Sequence, residues 1–324
     1  MKKSLVLVFS SLFLLSCSDM EMVVELDIPA HEPVLVLNGM LDTDTNVHVM
    51  LSSSLGAFEQ GNLSNVTGVQ VALYEDEIFV DSLFLDNSNP TDYEQNLNDD
   101  FNGNSETIRL FSYHSDFRPQ SGSTYRIEAS HPNYPSILAR TYIPQDIALF
   151  NVQVDSLSNQ DYLLISFSFN DNPSQANFYR IRALGDCSKN WMNEYGEDEE
   201  FFFEGQIQLN SNDPSLASEG IPFEGYTFSN EEALFTDALF DGQQKNMSFD
   251  IETDFFKWGD CDTVVLQFTV FSDDSYLYFN SLEAHSSNGR LGIFGGEVVP
   301  VYSNVENGLG VVISANAQTL FLKP

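Results

Sequence analysis

"DYLLISFSF", residues 161–169, decides the fold class. Successive side chains of an extended chain point to opposite faces, so Leu163, Ile165, Phe167 and Phe169 share one side and leave the other to smaller or polar groups. The same period of two recurs on the C-terminal side. "NMSFDIE" (246–252) aligns Met247, Phe249 and Ile251, and "DTVVLQFTV" (262–270) aligns Val264, Leu266, Phe268 and Val270. Toward the N-terminus, Val47, Val49 and Leu51 alternate with His48 and Met50, and Val69, Val71 and Leu73 alternate with Gln70 and Ala72. "STYRIEASH" (123–131) puts Tyr125, Ile127 and Ala129 on one face, "SILARTYIP" (136–144) follows a Pro-containing turn, and the run stops at Pro144. Six or seven short strands of this kind before Pro144 predict a sandwich. The expected architecture is mainly β: an N-terminal Ig-like β-sandwich domain over 31–144 and a C-terminal β-rich, sandwich-like domain over 145–324.

One segment breaks the alternation. "SDDSYLYFNSLEAHSSNG" (272–289) opens with Ser272 and two acids, spaces Tyr276, Phe279 and Leu282 three apart and ends at Gly289, which predicts a helix over about 272–287. "EEALFTDALFDG" (231–242) reads as a shorter helix or an ordered loop. The surrounding stretch from Gly185 to Gly242 reads as rich in loops, where binding surfaces tend to lie.

Composition agrees with a folded β protein. Of 324 residues 42% are apolar, and 27 Phe and 13 Tyr favour half-buried pleated surfaces. Acids outnumber bases 48 to 13, a net charge of −35. Phosphate binding needs clustered Lys and Arg, so nucleic acid is not an expected partner. Such a charge serves solubility on a crowded surface, or a contact with a basic or cationic ligand.

The first residues carry an address. Met1, Lys2 and Lys3 precede an uncharged, mostly apolar run from Ser4 to Ser16, the layout of a secretory signal peptide. That run is too short to cross a hydrocarbon core of about 30 Å, which needs roughly 20 helical residues. Leu14 three positions before Cys17, and Ser16 one before it, resemble the bacterial lipobox. That resemblance implies cleavage of 1–16, acylation of Cys17 with chains such as palmitate, and a tether over 17–30. Two or three chains make such an anchor durable, where one does not. Loss of Lys2 and Lys3 leaves 48 acids against 11 bases, a formal charge of −37.

Candidate chemistry is sparse. His31, His48, His114, His131 and His285 show no pair at metal-ligand spacing, and His48 falls on the polar face of a strand. No Gly-x-Ser-x-Gly elbow, Walker loop or dinucleotide glycine fingerprint is present, so neither a cofactor, a metal nor catalysis is expected. "DTDTN" (42–46) has the opening spacing of a calcium loop, but Val47 and Ser53 stand where its Gly and bidentate acid would be, and it reads as a hairpin turn. In "GEDEEFFFEG" (196–205) five acids surround three Phe. Alternation turns Phe202 outward if Phe201 and Phe203 point in, giving either an aromatic contact site or an edge strand guarded by charge.

With Cys17 taken by lipid, Cys187 and Cys261 remain, an even pair in an exported chain. An oxidising compartment favours a disulfide between them, and two buried thiols are the alternative. A bridge would gather Trp191 and Trp258 around one spot, as packing for the bond or as a ligand platform.

Four segments carry a family resemblance. "LDIPAHEPVLVLNGMLD" (26–42), "ALFDGQQKNMSFDI" (238–251), "VFSDDSYLYFNSLEAH" (270–285) and "EVVPVYSNVENGLGVV" (297–312) resemble, in this order, the Bacteroidetes lipoproteins known as domain of unknown function 4249. Where that family commonly continues with a Phe and small residues after the last glycine, this chain has Val311, Val312 and Ile313. Ser18, Asp19 and Glu21 resemble the export tag that some of these lipoproteins use to reach the outer face of the outer membrane, with Met20 interrupting it. The resemblance implies an accessory lipoprotein beside a TonB-dependent outer-membrane receptor, acting without catalysis by ligand capture or docking. A surface adhesin or structural protein, or a hydrolase with an unrecognised site, are the rival expectations.

Overall fold

The computed structural model describes residues 31–56, 65–96, 105–156, 162–173, 175–192, 198–217, 227–252, 260–288 and 299–323. Cys17, the signal peptide, the tether and Trp258 lie outside them. The chain is mainly β, as its alternation predicts. Before Pro144 run seven strands: β1 (Leu35–Leu41), β2 (His48–Ser53), β3 (Gln70–Glu75), β4 (Ile78–Asn96), β5 (Ser105–His114), β6 (Thr124–His131) and β7 (Tyr134–Tyr142). After it come β8 (Phe150–Ser156), β9 (Tyr162–Asn170), β10 (Phe178–Met192), β11 (Asp198–Ile207), β12 (Leu209–Ser211), β13 (Phe228–Asn230), β14 (Glu232–Thr236), β15 (Gln244–Glu252) and β16 (Asp260–Phe271). Among the described residues one α-helix, α1 (Asp273–Asn288), precedes β17 (Val305–Glu306) and β18 (Leu309–Leu322).

Two apolar cores follow from the alternation. Leu163, Ile165, Phe167 and Phe169 of β9 face Tyr179, Ile181, Leu266 and Phe268 across the second core, between a five-stranded sheet (β13-β12-β15-β9-β8) and the β10, β16 region of a larger one. The first core gathers Leu35, Leu37, Val49, Leu51, Val71, Leu73, Tyr125 and Ile127. Long β4 pairs with β3 through its first part and with β5 through its later part, with a register shift between Asp86 and Thr91.

The C-terminal strand joins the two. Residues 309–314 of β18 run parallel to β1, and residues 315–322 run antiparallel to β16, so strands of both halves form one 13-stranded sheet. Val305 and Val312 therefore pack in the first core, although they lie in the stretch expected to belong wholly to the second unit, whereas Leu320 and Leu322 pack against the second core. Val311, Val312 and Ile313 are all buried.

The helix forms where the pattern puts it. Ser272 accepts from the Ser275 backbone N–H at 3.3 Å, and Asp273 and Asp274 sit in the positive first turn. Phe271 meets Phe279 of α1 with ring centroids 5.3 Å apart, and Phe178 stacks on Tyr276 at 4.2 Å. This cover explains why Phe271, on the face of β16 away from the second core, is as buried as Leu266 and Phe268.

Two expectations are corrected. "EEALFTDALFDG" contains strand β14, because Ala233 and Phe235 are buried at a period of two against β10, with turns following to Gly242. Among the described residues the stretch from Gly185 to Gly242 is strand-rich rather than loop-rich. β10 continues to Met192 and β11 pairs along it in continuous register, a pairing that the charged, glycine-containing sequence does not advertise.

Candidate functional site

A broad opening lies on the outer face of β18, β1, β2, β5 and β4, a cleft of about 890 Å³ with Tyr278 of α1 at its wall. Its floor is built from cross-strand rows. In one row Val311, Asn38, Met50, Ser112 and Asp86 are successive partners. In the next, His48 is directly opposite His114, which is opposite Phe84. The alternate residues Val49, Leu51 and Tyr113 point into the first core, which fixes this set on the outside. His48 Nδ1 lies 3.2 Å from the Asn46 carbonyl oxygen. Hydrogen bonds from the Ser88 hydroxyl and backbone N–H hold the Asp86 carboxyl below the usual carboxylate range, and the nearby His114 contributes in the same direction.

Sequence reasoning took the histidines one by one and missed this pair. His48 and His114 are far apart in the chain, and only sheet register makes them neighbours. The "DTDTN" turn behaves as its sequence predicts: Asp42 Oδ1 accepts from the Asp44 and Thr45 backbone N–H groups at 2.8 and 2.6 Å, closing the link between β1 and β2.

A second opening, of about 480 Å³, sits where the two halves meet. The third and fourth resemblance segments converge there. Tyr302 donates its hydroxyl to Asp274 Oδ1 at 2.7 Å and its backbone N–H to Ser281 Oγ at 2.8 Å. Asn304 donates to the carbonyls of Arg140 and Val312 at 2.9 and 2.8 Å and accepts from the Val312 N–H at 2.9 Å. Burial raises the Asp274 carboxyl, the Tyr302 hydroxyl and the Tyr142 hydroxyl, the last to about 12. Beneath them Ser272, Ser275, Ser314 and Thr141 are buried and bonded to one another or to adjoining backbone. Around the rim, Arg126 pairs with Glu77, and Arg140 pairs with Glu306. Every polar group in this list has a partner, which makes the opening a brace for the joint.

Among the described residues one group of three acids converges as candidate metal ligands: Asp171, Asp237 and Asp241, with ligand atoms within 4.8 Å. Its buried members already have structural partners. Asp171 accepts from the Tyr179 hydroxyl and from the Gly242 N–H at 2.7 Å, and Asp237 accepts from the Asn177 N–H at 2.7 Å. Burial, aided by the neighbouring acids, raises the Asp171 carboxyl.

The residues singled out in the second half are distributed as follows. Cys187 of β10 is buried and directly opposite Cys261 of β16. A register shift after Asp186 creates that match: Asp186 faces Thr263, so an unbroken ladder would have set Cys187 against Asp262. Trp191 is opposite Glu199 at the end of the β10–β11 ladder, and its expected neighbour Trp258 lies outside the described residues. Phe202 is opposite Ser188 on β11, the terminal strand of the large sheet.

Two apolar cores, one shared C-terminal strand and, among the described residues, one covering helix define a mainly β protein whose halves are locked at a polar joint. The chain belongs to the family described as Domain of unknown function (DUF4249), whose profile matches residues 21–320. No curated protein matches it. No helix among the described residues is long and apolar enough to cross a membrane.

Proposed function

We propose that this protein is a lipid-anchored outer-membrane accessory that docks a loop of a TonB-dependent receptor in the cleft over β1, β2 and β5, without catalysis. The observation that carries the reading is the form of that cleft: open across five strands and floored by amide, thioether, aliphatic and imidazole groups, it suits an extended peptide segment better than an enclosed small molecule. Further support comes from Leu14, Ser16 and Cys17 at lipobox spacing, and from Ser18, Asp19 and Glu21 after the acylated position. A Cys187–Cys261 disulfide belongs to the same reading, because an exported chain meets an oxidising compartment.

Native protein drawn from outer membranes, with its companions identified by mass, tests the docking. Wild type should retain a receptor, and Ser112→Arg, which crowds the cleft floor, should lose it while still entering the detergent phase in a partition experiment. Retention of the same receptor by Ser112→Arg sinks the assignment of the cleft. Equal partition of wild type and Cys17→Ala sinks the anchor.

A further inference from the structure

We infer that the His48–His114 pair, with Asp86 beside it, is a binding site for a late first-row transition-metal ion, copper(II) above the others. Direct partners on antiparallel strands hold their Cβ atoms about 4.5–5.5 Å apart on one face. The two rings therefore leave the sheet side by side, and both histidines are exposed to the cleft. Two imidazoles placed in this way can chelate one ion once their rings turn toward it.

The surroundings favour a cation. With Nδ1 of His48 donating to the Asn46 carbonyl, Nε2 keeps its lone pair, which is the arrangement that orients a metal-bound imidazole. Asp86 lies one diagonal step from His114 on the same face. Side-chain rotation or a bridging water brings it to the ion, and further waters complete the shell. A chain of net charge −35 raises the local concentration of cations.

Ligand type selects the ion. Imidazole suits copper, nickel and zinc, and affinity along the first row peaks at copper(II). Met40 and Met50 line the same cleft, and their thioether sulfurs would suit the ion after reduction to copper(I). The acids Asp171, Asp237 and Asp241 offer only hard oxygen ligands, two of them already engaged by the protein.

The inference stands apart from the docking proposal, because it is read on the isolated chain. Full-length protein without a histidine tag, in detergent, is titrated with copper(II) by calorimetry and by electron paramagnetic resonance. One ion per chain is expected, with nitrogen splitting from two imidazoles, and zinc(II) should bind more weakly. His48→Gln/His114→Gln, checked for unchanged circular dichroism, should weaken copper binding by about tenfold or more, the loss typical even of residues that only support a ligand. Asp237→Asn should leave copper binding unchanged. Absence of stoichiometric binding, equal affinity in the double variant, or a spectrum without imidazole nitrogen overturns the site.

Discussion

At Gly310 the backbone has φ +102°, a region that side-chain-bearing residues rarely adopt, and a Cβ there would collide with the carbonyl oxygen of Leu37. Leu37 is its partner in the parallel β1–β18 pairing, so the glycine lets the two backbones approach where the C-terminal strand joins the first sheet. Gly310→Ala should lower the unfolding free energy by roughly 2–4 kcal/mol, read from urea unfolding. An unchanged midpoint would mean that β18 does not need this approach. A second residue sets a pH response. Burial alone would raise the Asp213 carboxyl, but Lys245 at 2.7 Å and the Ser215 hydroxyl and N–H hold it below 3.8. A depressed folded-state pKa means that its stabilisation is complete above pH 3.8 and is lost as pH falls through the folded value. Asp213→Asn should cost about 3 kcal/mol at neutral pH, since it strands a largely buried Lys245, and the gap from wild type should narrow in acid. A gap that stays constant from pH 7 to acid would contradict this account.

Among the elements, the β10–β16 ladder is the most informative. The shift after Asp186 turns two cysteines distant in sequence into direct partners, and antiparallel partners have Cα atoms about 4.5–5.5 Å apart, inside the range that a disulfide spans. Wild type, denatured without reductant, should resist alkylation at Cys187 and Cys261. Cys187→Ser/Cys261→Ser should unfold more easily by about 4 kcal/mol, if closing so long a loop acts through chain entropy. Labelling of both thiols in the unreduced chain removes the bond. The neighbouring β10–β11 ladder explains why β11 is hard to read: acids, glycine and a Phe triplet give it no clean period, and its place at the sheet edge follows only from pairing with the long β10. Helix α1 is the opposite case, since its polar start, its three-residue spacing and the glycine after it all speak locally.

Across the whole molecule, β18 couples the cores. Its first part cannot leave β1, nor its second part β16, without opening the 13-stranded sheet, and the hydroxyl groups of Ser272, Ser275, Ser314 and Thr141 tie α1 and β7 to the same strand. The two cores should therefore unfold together. Both tryptophans belong to the second half, so selectively excited tryptophan emission reports that half while far-ultraviolet circular dichroism reports the whole chain. Coincident urea midpoints are expected, and two separated transitions would show that the cores fold independently.

The amino-acid sequence determined the local features. Alternating Leu163, Ile165, Phe167 and Phe169 make a one-sided strand in almost any setting, Asp42 closes its own turn, and Ser272 with the following acids starts a helix, because each depends on neighbours within a few positions. Tertiary structure alone decided that β18 would serve two cores, that Cys187 would face Cys261 rather than come up against Asp262, and that His48 would meet His114 over Asp86. Those relations are set by register between strands far apart in the chain. A one-residue slip exchanges every partner and every face, so burial of both cores, and not any local preference, fixes which groups share the cleft.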